Sequence, residues 1–239
     1  ATKRAADYIV AMGEDPATVF PLGCPTCDVV TAASNHLPQD VLGQLGVGTS
    51  IDFTKPYLLV LFHPVTTDIG HQEQQMEAVL ETVRRTGLQT VLLWPNIDAG
   101  SDLVAQAIRR FREFHRDYPL HAYKNLPPDI YIPLLNHASC CIGNSSSFVR
   151  ETSFLGTPVV LVGSRQDGRE WSPSVIRVEP VQSEIEAATK KQLAHGRYDA
   201  SPMYGEPGVS ARIASQIAKL EPYAQKQLHY VQRPNFPAL

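Results

Sequence analysis

Six short apolar runs recur between Tyr57 and Val178: Tyr57–Phe62, Thr90–Trp94, His121–Tyr123, Ser139–Gly143, Pro158–Val162 and Val175–Val178. Each has strand length and is apolar on both alternating sets of positions, so both of its faces must be covered. Helical patterns fall between the first four, at about Gln72–Gly87, Asp102–Arg116 and Asp129–His137. Two-sided apolar strands alternating with helices leave few options. The expectation is an α/β domain with a doubly wound parallel sheet.

In such sheets ligands sit beyond the carboxyl ends of the strands, where the strand order reverses. The candidate site residues are therefore those that follow each run: His63, Asn96, Lys124 to Leu126, Asn144 to Ser146, and Arg165. The stretch from Ser139 to Glu151 is the most informative. It reads as a buried strand, a tight turn with Asn144, Ser145 and Ser146, and a helix N-terminus. Free N–H groups and the positive end of the helix dipole seat an anion there, and serine hydroxyls add donors without adding charge. Glu151, one to two turns further on, would repel a phosphate but can accept from the two hydroxyls of a ribose. That combination points to a nucleoside diphosphate. A helix capped by Asn144 or Ser145 explains the same turn without any ligand. Polar residues at five separate strand ends favour the ligand. No Gly-x-Gly-x-x-Gly follows the first strand and there is no Gly-Lys-Ser, which argues against dinucleotide cofactors and P-loop hydrolysis.

At 239 residues the chain suits one large domain, or one domain with appendages. A net charge of −3 predicts no general affinity for nucleic acid or anionic membranes. Four cysteines are too few for a disulfide framework, and no apolar run is long enough to span a bilayer, so a reducing cytoplasm is the expected setting. Cys24 and Cys27 have the spacing of a redox or zinc pair but lack a second pair, since Cys140 and Cys141 are adjacent within a strand. His36, His71, His115, His121, His137, His195 and His229 form no spaced metal set, so neither a metal nor a cofactor is expected. Arg109, Arg110 and Arg112 read as a solvated helix face, with an effector or partner patch as the alternative.

The chain starts without an initiator Met and already in a helical pattern, Thr2–Met12, which suggests a piece of something longer. A short strand is expected over Thr18–Gly23, then a helix after Pro25 whose N-terminus Asp28 supports. Residues 34–56, rich in Gly, Pro, Asn and Asp, read as a linker. Further helices are expected at Gln182–Ala194 and Val209–Leu220. The expected organisation is the end of one domain over 1–33, the linker, a main domain over 57–220, and a tail over 221–239 with no assigned role.

His63-Pro64-Val65-Thr66-Thr67-Asp68, Pro95-Asn96-Ile97-Asp98-Ala99-Gly100-Ser101, Gly143-Asn144-Ser145-Ser146 and Gly156-Thr157-Pro158-Val159-Val160 occur together with Gly163-Ser164-Arg165-Gln166 and Gly168-Arg169-Glu170. This set resembles the UDP-N-acetylglucosamine 2-epimerase family. It is most similar to the hydrolysing branch, the enzymes of sialic-acid and related nonulosonate synthesis. The non-hydrolysing branch usually carries a Gly-His-Arg-Arg-Glu-Asn-like run where this chain has Phe62 to Thr67. The resemblance extends from Ala1 to about Leu220. It implies the two-domain glycosyltransferase-B architecture, with this chain as the second, Rossmann-like half and residues 1–33 as the end of the first. It also implies roles. Ser145 and Ser146 would bind the pyrophosphate, Glu151 the ribose hydroxyls, Arg165 the phosphates and Leu126, through its backbone, the uracil. Asn96 would be a further nucleotide ligand, and a His63 imidazolium would stabilise departing UDP.

The implied reaction removes the C2 proton of a UDP-sugar with anti elimination of UDP to a 2-acetamidoglucal, which adds water to give an N-acetylmannosamine-type sugar. The acidic residues that act on C2 in this family belong to the first domain, so the missing half is the implied partner and this piece alone would be inactive. Homodimers are common in the family. Feedback by an activated sialic acid is not implied, because Asp102 stands where a cation would be expected. Two other functions use the same architecture: sugar transfer by a glycosyltransferase, and non-catalytic binding of a sugar nucleotide. The choice between UDP-N-acetylglucosamine and UDP-diacetylbacillosamine stays open, since they differ in groups facing the missing half.

Overall fold

The computed structural model describes residues 1–68, 70–221 and 228–229. In chain order the helices and strands are α1 (Lys3–Ala11), α2 (Thr26–Ala32), α3 (Gln39–Gln44), β1 (Val47–Gly48), β2 (Tyr57–Leu61), α4 (Gln72–Thr86), β3 (Gln89–Leu93), α5 (Ser101–Phe114) and β4 (Leu120–Tyr123). They continue with α6 (Pro128–His137), β5 (Cys140–Gly143), α7 (Ser147–Leu155), β6 (Val159–Val162), β7 (Val175–Val178), α8 (Gln182–His195) and α9 (Val209–Ile217). Two compact units emerge: Ala32–Ser201, and Ala1–Thr31 together with the chain from Pro202 onward.

The larger unit holds a seven-stranded sheet in the order β1-β4-β3-β2-β5-β6-β7. Strands β2 to β7 are parallel, and β1 runs antiparallel to β4 at one edge. From β2 the chain winds outward through β3 and β4; it then returns to the other side of β2 as β5 and winds the opposite way through β6 and β7. The order therefore reverses between β2 and β5, and this reversal opens a crevice at their carboxyl ends.

Both faces of the central strands β2, β5 and β6 are covered, as their apolar sequences require. On one face Leu58, Val60, Leu92, Ile142 and Val160 pack with Val79 and Val83 of α4, Ile108 of α5 and Ile185 of α8. Towards the other face, Tyr57 donates to the Leu134 carbonyl of α6 at 2.7 Å and Thr157 to the Leu135 carbonyl at 3.0 Å, both buried. Local chemistry sets the helix ends. Pro128 opens α6, where its missing N–H costs no helical bond, and Gly87 and Gly156 close α4 and α7 in the left-handed region.

Residues 34–56 carry more structure than a linker: α3, and the edge strand β1. His121 of β4 secures them, its two ring nitrogens lying 3.0 and 2.8 Å from the Thr49 and Leu45 carbonyl oxygens. Polar composition hid this because an edge strand of two residues has no apolar face to register.

In the smaller unit, the strand expected at Thr18–Gly23 is not formed. Pro16–Thr18 is instead a 3-10 turn, and the Leu22 amide donates to the Phe20 carbonyl at 2.9 Å. An extended segment becomes a strand only when a neighbour takes up its N–H and C=O groups, and Pro21 has no N–H to offer. Asp28 does more than support its own helix. Its carboxylate accepts from the amides of Gly208 and Ser210, both at 2.6 Å, and so caps α9, whose N-cap residue is a glycine without a side chain. A hydrogen bond from the Ser210 side chain, then those from the Ser210 and Gly208 amides, hold its pKa down at about 2. Apart from Glu221, Leu228 and His229, the tail at 221–239 lies outside the described residues. Among the described residues no helix is long and apolar enough to cross a membrane.

Candidate functional site

The crevice at the strand reversal is a cleft of about 270 Å³. It brings together eight of the ten residues singled out from sequence: His63, Asn96, Lys124, Asn125, Leu126, Ser145, Ser146 and Arg165. Its wall also includes Trp94, Tyr131 and Ser147.

The floor depends on close approach of β2 and β5. Gly143 pairs with Leu61 and has φ +147°, and a Cβ there would lie 2.1 Å from the Leu61 carbonyl oxygen. Only glycine closes this corner. The next residue, Asn144, is fully buried and does not line the cleft; it stitches the two strand ends together. Its Oδ1 accepts from the His63 amide at 2.7 Å and its Nδ2 donates to the His63 carbonyl at 2.8 Å. Its own carbonyl accepts from Gln166 Nε2 at 2.8 Å and from Arg165 Nη1 at 3.3 Å. Asn144 thus positions His63 and Arg165 and is in neither case a bare helix cap.

The turn then enters α7. The Ser147 amide donates to Ser145 Oγ at 3.3 Å. Among the described residues the Ser145 and Ser146 amides have no acceptor, and they sit at the positive end of α7. Arg165 comes from the loop after β6. Burial lowers its pKa, with the Arg169 charge adding to the effect and the nearby Asp98 carboxylate opposing it.

His63 differs from the sequence expectation. It is 5% exposed, and burial, then the Arg165 charge, push its pKa down to about 4. Its Nδ1 accepts from the Asn96 amide at 3.2 Å. The ring is therefore neutral near pH 7 with its proton on Nε2, the nitrogen left for a ligand. A neutral N–H donor, not an imidazolium, is what this geometry presents. Asn96 acts first through its backbone, by fixing the tautomer.

Glu151 does not line the cleft, but it lies one helical turn past Ser147 on the same face of α7. Its side chain is 12% exposed and Arg150 Nε is 3.8 Å from Oε2, too far for a hydrogen bond. Glu151 Oε2 is buried without a hydrogen-bond partner among the described residues, and burial raises its pKa. A native fold rarely leaves a buried carboxylate unsatisfied unless something else completes it.

Three cleft residues were not legible in sequence as site residues. Trp94 directly follows β3, and Arg109 of α5 lies over its ring at 5.9 Å. Ser147 hides in a serine run, and Tyr131 lies on a helix whose rotation the sequence leaves open; the Pro127-Pro128 start, which puts the first turn of α6 at the end of β4, was the available signal. Arg110 pairs with Glu73 at 2.7 Å and Glu77 at 3.0 Å, as a solvated face would. The four cysteines are free thiols, and no cluster of three or more His, Cys, Asp or Glu side chains able to hold a metal occurs among the described residues.

Comparison with known proteins now identifies the family. The family described as UDP-N-acetylglucosamine 2-epimerase matches residues 1–218. The chain belongs to that family. It is 28% identical over 225 residues to the UDP-N,N'-diacetylbacillosamine 2-epimerase (hydrolyzing) of Legionella pneumophila, covering 94% of this chain and 58% of that protein. It is 24% identical over 204 residues to the UDP-N-acetylglucosamine 2-epimerase of Neisseria meningitidis, covering 85% of this chain and 52% of that one. The chain thus spans between half and three-fifths of these relatives. Among solved structures, the Staphylococcus aureus MnaA–UDP complex superposes with a TM-score of 0.67 at 18% identity, covering 90% of this chain and 57% of that one. The Methanocaldococcus jannaschii UDP-GlcNAc 2-epimerase in complex with UDP-GlcNAc and UDP gives 0.66 at 13% identity, covering 91% and 59%. The doubly wound sheet is therefore that of the 2-epimerases.

Proposed function

We propose that this chain is the UDP-binding portion of a hydrolysing UDP-sugar 2-epimerase. The observation that carries the reading is the pairing, on one short helix, of unoccupied Ser145 and Ser146 amides at the positive end with a buried Glu151 carboxylate, one turn further on, whose Oε2 has no hydrogen-bond partner among the described residues. Donors for a diphosphate and an acceptor for a ribose diol thus lie along one helix. The hydrolysing relative and the UDP-bound structural neighbours support the same reading.

In this reading the C2 proton of a 2-acetamido UDP-sugar passes to a base in a first domain outside this sequence, of which residues 1–33 form the end. The C2 electron pair forms the C1–C2 double bond as the C1–O bond breaks and UDP departs. Water then adds, with its proton returned at C2, giving an N-acetylmannosamine-type sugar. This portion stabilises the departing diphosphate: the α7 N-terminus and Arg165 meet the charge, and His63 donates from Nε2. A cytoplasmic enzyme acting on a free UDP-sugar, without nucleic-acid or membrane partners, fits the net charge of −3.

An NMR time course in deuterated water tests the reaction, using the chain joined to its preceding domain and UDP-N-acetylglucosamine or UDP-diacetylbacillosamine as substrate. Release of UDP with deuterium at C2 of the epimerised free sugar is expected. UDP release without C2 exchange, or sugar transfer to an acceptor, would contradict it.

A further inference from the structure

Tyr131 reaches the cleft from the first turn of α6 and carries a hydroxyl that the mechanism above does not use. Its oxygen lies 2.5 Å from Ser147 Oγ, and Ser147 Oγ lies 3.0 Å from Ser145 Oγ. All three residues line the cleft. Three hydroxyls, from α6, α7 and the turn before α7, thus form one chain ending beside the open Ser145 and Ser146 amides.

Counting donors and acceptors leaves one hydrogen over in either direction: the Tyr131 phenolic hydrogen if Ser145 donates to Ser147 and Ser147 to Tyr131, or the Ser145 hydrogen if the chain runs the other way. An acceptor oxygen seated beside the open Ser145 and Ser146 amides takes the second of these. Tyr131 then donates to Ser147 and Ser147 to Ser145, whose oxygen also accepts the Ser147 amide at 3.3 Å. Both lone pairs of Ser145 Oγ are occupied in that arrangement, and its hydrogen goes to the ligand.

Resting on the assignment of this site to UDP, we infer that Tyr131 and Ser147 are positioning residues, a hydroxyl relay that the bound diphosphate aligns and that supports the Ser145 hydroxyl as its donor. Bonds in a chain with aligned donors polarise one another, so an acceptor at the Ser145 end is held more strongly than by a lone serine. Burial raises the Tyr131 pKa well above its ordinary value, which keeps the phenol protonated as the first donor.

Calorimetry with UDP and with uridine on the wild type, Tyr131→Phe, Ser147→Ala and the double variant tests this, with thermal denaturation to confirm folding. Tyr131→Phe is expected to weaken UDP binding about threefold and Ser147→Ala about tenfold, one charge-assisted hydrogen bond at most. Uridine binding should not change. Because Tyr131 acts through Ser147, the double variant should be no weaker than Ser147→Ala alone. Additive losses, or equal losses for uridine, would overturn the relay and leave the UDP assignment standing. Absence of UDP binding by the wild type would overturn that assignment and the relay with it. Should Tyr131→Phe fail to fold, Ser147→Ala against Ser147→Thr, which restores a hydroxyl, asks the same question; no recovery by Thr would overturn the relay.

Discussion

Replacing Arg165 by Ala is expected to weaken UDP binding about ten- to hundred-fold while leaving the affinity for uridine nearly unchanged. Hydrogen bonds to charged groups contribute about 1.5–3 kcal/mol, and about 1.4 kcal/mol is a factor of ten. Arg165 is tethered by the Asn144 carbonyl at 3.3 Å, so its charge waits beside the α7 N-terminus. Arg165→Lys should fall between, since it keeps the charge and loses the fork. Higher salt should narrow the gap between variants and wild type. A second signal comes from His63. The Arg165 charge helps to hold its pKa at about 4, so the imidazole titration followed by NMR should move upward in Arg165→Ala. UDP affinity within twofold of wild type would remove Arg165 from the phosphate site.

Glu151→Gln is expected to move stability and binding in opposite directions. Burial raises the Glu151 pKa in the folded chain above its ordinary value of 4.5. Below about pH 4.5 folded and unfolded states both carry the proton and the residue costs nothing. As the pH rises past that value the unfolded chain ionises first, so stability is lost as pH climbs through the folded pKa. A neutral amide of the same shape removes that loss. Ligand-free Glu151→Gln should therefore melt higher than wild type at about pH 8 and converge with it near pH 4, measured by thermal denaturation. UDP binding should fall about ten-fold or more, because the ribose diol loses an ionised acceptor. Uridine should weaken equally, in contrast to Arg165→Ala. A variant no more stable at about pH 8 and equal in UDP affinity would mean that the carboxylate is simply tolerated in the core.

Much of this site was legible because a doubly wound sheet converts chain order into position. Once six two-sided apolar runs are found, the residues after them must share one rim, which is how His63, Asn96, Leu126, Ser145, Ser146 and Arg165 were found together. Side-chain direction is another matter. Asn144 falls at a strand end like the others, yet it turns inward to bind the His63 backbone. Protonation also depends on the surroundings: His63 is a neutral donor because burial, then the Arg165 charge, hold its pKa down while the Asn96 amide takes its Nδ1. Tyr131 and Ser147 needed the rotation of α6 and α7 about their axes, which no periodicity supplied. The first unit was the hardest to foresee, since Asp28 caps a helix that begins some 180 residues later in the chain.

The most direct test is a crystal structure of the chain with UDP. Diphosphate oxygens are predicted within about 3 Å of the Ser145 and Ser146 amides and Ser145 Oγ, with Arg165 on the same phosphates and the ribose hydroxyls on Glu151. UDP bound elsewhere, or held in the same cleft with its uracil at the α7 N-terminus, would contradict the account.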